Sequence, residues 1–84
     1  MDNILYQIVE SNSVIISFTT GDVTVCMEFD GPHVFSYKDK FSLTGDCGVM
    51  TFNTDPVDIY TKAENIYVLN YIDGTQLEIS LESA

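Results

Sequence analysis

Eighty-four residues with thirteen carboxylates, three lysines and no arginine carry a formal net charge of −10. Such a field repels nucleic acid and anionic membranes, whose binding draws on Lys and Arg, and the chain is long enough for one domain, 1–84, and no second. The 45% hydrophobic content excludes disorder, and apolar runs of at most four residues exclude a membrane-spanning helix.

No apolar leader region follows Met1-Asp2-Asn3, so a cytoplasmic location is expected. In that compartment Cys26 and Cys47 are expected to be reduced. The charge is unevenly spread. Residues 1–37 carry −5, residues 38–62 hold all three lysines and carry −1, and residues 63–84 carry −4. No two acids are adjacent, so the charge is displayed on folded structure, not on an acidic tail.

In chain order, residues 2–10 are read as a strand through the alternation of Leu5, Gln7 and Val9. The helical alternative places Ile4, Leu5, Ile8 and Val9 at helix spacing, with Asp2 as cap. Residues 13–29 form the first hairpin: Val14, Ile16 and Phe18 share a face, as do Val23, Val25, Met27 and Phe29, with Gly21 in the turn. Thr24, Cys26 and Glu28 take the opposite face. After the Asp30-Gly31-Pro32-His33 turn come three short extended segments, at residues 34–37, 41–43 and 49–52.

Thr54-Asp55-Pro56 predicts one short helix near residues 55–63, with Asp55 as N-cap, Pro56 at the first position and Asp58 facing the dipole. A single irregular turn is the competing reading. The last hairpin, residues 65–82, sets Tyr67, Leu69 and Tyr71 on the face of Leu77, Ile79 and Leu81, and turns at Asp73-Gly74. Gln76, Glu78, Ser80 and Glu82 point the other way. The fold class expected is mainly β: a small antiparallel sheet or barrel of six to seven short strands. The alternative is α+β with an N-terminal helix.

No catalytic, metal or cofactor motif emerges. His33 lies in a turn without a nucleophile beside it. Cys26, Cys47 and His33 lack the paired spacing of zinc sites, and the sequence Gly45-Asp46-Cys47-Gly48 lacks the lysine and helix of a phosphate loop. Paired carboxylates can hydrolyse glycosides, but that chemistry needs a cleft. What remains is the set Asp22, Glu28, Asp30, Asp73, Glu78 and Glu82. It is read as solvated strand faces or as a surface complementary to a basic patch on another protein. Were Glu28 and Glu78 on the outer faces of neighbouring strands, they would form a negative stripe. Tyr37, Tyr60 and Tyr71 are candidate aromatic anchors for that surface.

In length, charge and strand-rich composition the chain resembles small phage-encoded inhibitors of host nucleic-acid machinery, the anti-CRISPR proteins and the uracil-DNA glycosylase inhibitor among them. The resemblance covers bulk properties and no motif, so it assigns no residues. It implies an acidic surface docking on a basic groove that normally holds DNA or RNA. The specific expectation is a type I anti-CRISPR-like inhibitor binding a CRISPR surveillance complex, acting as a monomer or homodimer, with no direct nucleic acid and no membrane contact. A phage structural or assembly protein, or a nuclease immunity protein, is the alternative. An enzyme is not expected.

Overall fold

Alternating apolar residues over 13–29 and 65–82 require two half-buried hairpins, and both form. The computed structural model describes residues 1–82. Its elements are α1 (Asp2–Glu10), β1 (Ser13–Thr20), β2 (Val23–Asp30), β3 (His33–Tyr37), β4 (Lys40–Gly45), β5 (Gly48–Asn53), β6 (Asp58–Ala63), β7 (Ile66–Asn70) and β8 (Gln76–Glu82). One antiparallel sheet has the order β2-β1-β8-β7-β6, and a second has the order β3-β4-β5.

Strand β1 joins the two hairpins. Its Val14, Ile16 and Phe18 pair with Phe29, Met27 and Val25 on one side and with Leu81, Ile79 and Leu77 on the other. Leu77 and Ile79 in turn face Leu69 and Tyr67. The apolar sets of both hairpins therefore share one face, as a side-chain period of two dictates.

Helix α1 and the inner face of the smaller sheet cover it. Ile4 and Ile8 from α1, with Phe41, Leu43 and Phe52 from β4 and β5, complete a single core. The Phe41 and Phe52 rings meet tilted, 5.6 Å between centroids, a pairing that adds about 0.5–1.5 kcal/mol to their area burial.

Residues 2–10 are helical, which corrects the strand expectation. Ile4 and Ile8, one turn apart, are buried, while Tyr6 and Val9 face water. A strand would have put Val9 on the face of Leu5, against the core. Met1 is the N-cap, so Asp2 falls one position inside the helix. Nine residues are too few for a stable isolated helix, so docking of Ile4 and Ile8 holds it. Ser11 Oγ donates to Gln7 O at 2.6 Å, and Tyr67 Oη donates to Gln7 Oε1 at 2.7 Å. Asn12 then bridges the sheet end: its N–H donates to Glu82 O (3.0 Å), and its carbonyl accepts the Gly31 N–H (2.6 Å).

The helix expected near residues 55–63 is absent, and β6 occupies most of that stretch. Asn53 Oδ1 accepts the Asp55 N–H at 2.7 Å, so the Asp-Pro signal serves a turn. From Asp58 only six residues precede the Glu64-Asn65 turn, where Asn65 has φ 63°. So short a helix would leave most of its backbone unpaired. Ile59, Tyr60 and Thr61 suit a strand and pair with Leu69, Val68 and Tyr67.

Among the described residues the strands number eight, not six or seven, and no barrel closes. Strands β2 and β6 stand at opposite edges of the larger sheet. A barrel would wrap the apolar face on itself; here α1 and the second sheet cover it instead.

Strand β4 of the smaller sheet meets β2 of the larger one where Gly45 lies against Phe29. A Cβ added at Gly45 would lie 3.1 Å from Phe29 Cδ1, and Phe29 is fully buried. Gly45→Ala is expected to destabilise the fold by about 1–3 kcal/mol through overpacking, and Phe29→Ala by about 3–5 kcal/mol through the cavity left. Urea unfolding of both variants measures this. A neutral Gly45→Ala would show that the sheets shift freely at this point.

Candidate functional site

The pleat that buries the apolar set of the five-stranded sheet must turn the alternate residues outward. Glu28 and Asp30 of β2 and Glu78 and Glu82 of β8 all fall on that outer face. Asp30 and Glu82 flank Ser13 on either side, which sets their Cα atoms about 10 Å apart at ordinary strand spacing. Ser13 Oγ donates to Asp30 Oδ1 at 3.1 Å. Glu28 and Glu78 share the face but not neighbouring strands, because β1 runs between them. The acids are spread over the sheet and do not form a tight stripe.

Asp22 and Asp73 lie off the sheet. Asp22 occupies the β1–β2 turn and Asp73 the β7–β8 loop, at the same end of the sheet because β1 and β8 are antiparallel. The Thr75 N–H donates to Asp73 Oδ1 at 2.9 Å. Thr75 holds the Asp73 carboxyl below its ordinary range through this backbone hydrogen bond, with a further contribution from its hydroxyl.

Two residues on the face escaped the sequence reading. Asp58, assigned there to a helix N-terminus, lies beside Asn70 on β6, whose Nδ2 is 3.4 Å from Asp58 Oδ2. Lys62 reaches Glu78 with Nζ 2.9 Å from Oε1, the one ion pair among the described residues. The hydrogen bond and then the charge of Glu78 raise the Lys62 ammonium above its ordinary pKa. The alternation Asp58, Tyr60, Lys62 was the available signal, although the register shift between Thr61 and Ala63 takes Lys62 out of strict step. Glu28, Asp30, Asp58, Glu78 and Glu82 against Lys62 leave the face at −4.

The three tyrosines separate. Tyr60 lies on the acidic face, in the row that runs through Val68 to Glu78, and is exposed. Tyr37 is exposed on the outer face of the other sheet. Tyr71 is half-buried, and its hydroxyl donates to Asn53 O at 2.5 Å, tying the β7–β8 loop to β5. That corrects its expected role: its polar end is engaged inside the fold.

A cleft of about 470 Å³ opens beside Tyr71, with Phe18, Phe52 and Leu77 beneath it and Asp55 and Asp73 among its lining. Cys26 and Cys47 are both exposed and unpaired, and Cys47 Sγ donates to Glu28 O at 3.1 Å. Among the described residues no helix is long and apolar enough to cross a membrane, and no three His, Cys, Asp or Glu side chains gather as metal ligands do. No family model, curated protein or solved structure matches the chain.

Burial pushes the Tyr71 phenol up to about 12, against about 10 in an unfolded chain. Between those values the unfolded state sheds a proton that the folded state keeps. Stability is therefore complete below about pH 10 and falls as pH rises towards about 12. Because the ring is half exposed, the expected loss is about 1–2 kcal/mol, less than the full linkage value. Urea unfolding at pH 9 and 11.5 measures it. Tyr71→Phe is expected to remove this component of the pH dependence while costing about 1 kcal/mol at neutral pH for the lost hydrogen bond.

Proposed function

We propose that the protein is an inhibitory binding module whose acidic surface docks on a basic, nucleic-acid-binding surface of a partner protein. The observation that carries this reading is the gathering of Glu28, Asp30, Glu78 and Glu82 on one sheet face, with Asp58 and the exposed Tyr60 beside them. Such a face offers carboxylates at fixed spacing on a rigid support. A groove lined with Lys and Arg to hold a phosphate backbone is its electrostatic complement.

Position in the sheet ranks the residues. Glu28 and Glu82 are exposed, and neither forms an ion pair among the described residues, so their charge is available to a partner. Glu78 is engaged with Lys62, so reversing it also leaves Lys62 facing a like charge. Asp22 and Asp73 extend the negative field past the sheet end, where Asp55 joins Asp73 at the cleft. Tyr60 supplies the aromatic contact that such interfaces favour.

The bulk resemblance to phage-encoded inhibitors supports the finer reading: a type I anti-CRISPR-like protein whose partner is a CRISPR surveillance complex in the host cytoplasm. Binding there needs no catalysis. Occupying the groove is enough to exclude the nucleic acid.

The test is a pull-down of nucleic-acid-binding complexes from host lysate at rising salt, with DNA and RNA as competitors. Retention at low salt that is lost both to salt and to added nucleic acid is the expected result. Failure to retain any basic nucleic-acid-binding protein at low salt would end the proposal. With the purified partner, Glu28→Lys combined with Glu82→Lys is expected to weaken binding about tenfold or more, mostly through a slower on-rate, with unfolding midpoints unchanged. Equal affinity for variant and parent would place the interface elsewhere.

A further inference from the structure

Four strands stand at sheet edges: β2, β6, β3 and β5. An open edge presents unpaired N–H and C=O groups, and folded proteins blunt such edges with charge, bulges or proline. Strand β2 carries Glu28 and Asp30, and its Glu28 carbonyl accepts Cys47 Sγ. Strand β6 carries Asp58 and Lys62 and is interrupted by a register shift. Strand β5 is flanked by Asp46 in the turn before it and Asp55 after it. Strands β3, His33-Val34-Phe35-Ser36-Tyr37, and β5, Gly48-Val49-Met50-Thr51-Phe52-Asn53, have no acid, no lysine, no internal proline and no bulge, and of these two β3 is the one that exposes two aromatic side chains.

Its outer side is also the least polar of the edges. Phe35 is 66% exposed and Tyr37 59% exposed. Turn geometry shows which backbone groups are free. The two-residue Lys38-Asp39 turn makes Tyr37 and Lys40 the closing pair, which exchanges both of its backbone bonds. Alternation then directs the N–H and C=O of Val34 and Ser36 away from β4, off the edge.

We infer that β3 is a homodimerisation edge, pairing antiparallel with β3 of a second copy about a two-fold axis through Phe35. In this register Val34 and Ser36 of each copy exchange backbone hydrogen bonds with Ser36 and Val34 of the other. Phe35 meets its own symmetry mate at the non-hydrogen-bonded position, where cross-strand side chains are closest. Tyr37 meets His33 of the second copy. The patch is self-complementary, as a two-fold interface requires, and the result is one continuous six-stranded sheet.

Charge selects a second copy as the occupant. Residues 30–42 hold Asp30, Asp39, Lys38 and Lys40 and sum to zero on a chain of −10. Here two copies can approach without the repulsion that keeps the acidic faces apart. Lys38 Nζ already lies 5.4 Å from the centre of the Tyr37 ring, at the margin of the pairing surface. The acidic face belongs to the other sheet, so this inference stands or falls apart from the proposed function.

Sedimentation equilibrium of the wild-type chain from about 10 µM to about 1 mM, the range of a weak specific contact, is expected to show a rise from one to two chain masses. Ser36→Pro removes an N–H that points off the edge, at an edge-strand position where proline is tolerated. It is expected to raise the dissociation constant about tenfold or more while leaving the circular dichroism spectrum unchanged. With Cys26 and Cys47 replaced by Ser, Phe35→Cys is expected to form an interchain disulfide on mild oxidation. Thr51→Cys, in the same row at the far edge of that sheet, is expected not to. A wild-type chain that stays at one mass throughout overturns the inference. So does a dimer indifferent to Ser36→Pro, or a Phe35→Cys chain that cross-links no faster than Thr51→Cys.

Discussion

The pairing of β1 with β8 is the constraint on which the remaining structure depends. It joins residues 13–19 to residues 76–82, and with it the two hairpins become one sheet with a continuous apolar face. Neither hairpin is stable alone, since an isolated pair of strands is marginal in water. Once they join, Val14, Ile16, Leu77 and Ile79 lie at the centre of a surface wide enough to receive a helix and a second sheet. The smaller sheet and α1 are in this sense consequences: each is too short to persist unless that face is present to bury it. Closing so long a loop before the contacts that reward it predicts slow folding for the size of the chain.

Much of this was legible in the residues themselves. The strict alternation in β1, β2, β7 and β8 gave the faces and their membership correctly, because burial on one side of a sheet leaves no freedom of register. Residues 2–10 were ambiguous for a physical reason. Ile4, Leu5, Ile8 and Val9 suit either period, and what decides between them is a docking surface assembled from residues far along the chain. Residues 55–63 misled because a cap signal is local, whereas pairing with Val68 and Leu69 is not. An Asp-Pro pair opens turns as well as helices, and here Asn53 captures it.

The acidic surface was legible in part for the same reason. Glu28, Glu78 and Glu82 follow from alternation. That β1 separates β2 from β8 does not, because strand order is not written in any single segment. Lys62 follows the alternation of Asp58 and Tyr60, but its pairing with Glu78 depends on the order β6-β7-β8, which no single segment carries. The same order accounts for Asp58, which joins the face only once its segment is a strand.

The placement of charge bears on what the protein is built to do. A soluble domain gains nothing in stability from keeping its cations away from its anions, because self-repulsion opposes the compact state. Here Lys38 and Lys40 lie at the turn of the smaller sheet, and only Lys62 meets the field of the larger one. The chain thus divides into an acidic sheet face and a locally neutral sheet edge. Such a division is costly to a protein whose surface serves solubility alone. It accords with the proposed docking of the acidic face on a basic partner and the proposed pairing of β3 with a second copy. A pair joined at β3 would carry two acidic faces on one rigid sheet assembly. Against a partner with repeated basic grooves, the second face would then bind at an effective concentration set by the spacing of the two, adding avidity with no further contact required of either copy.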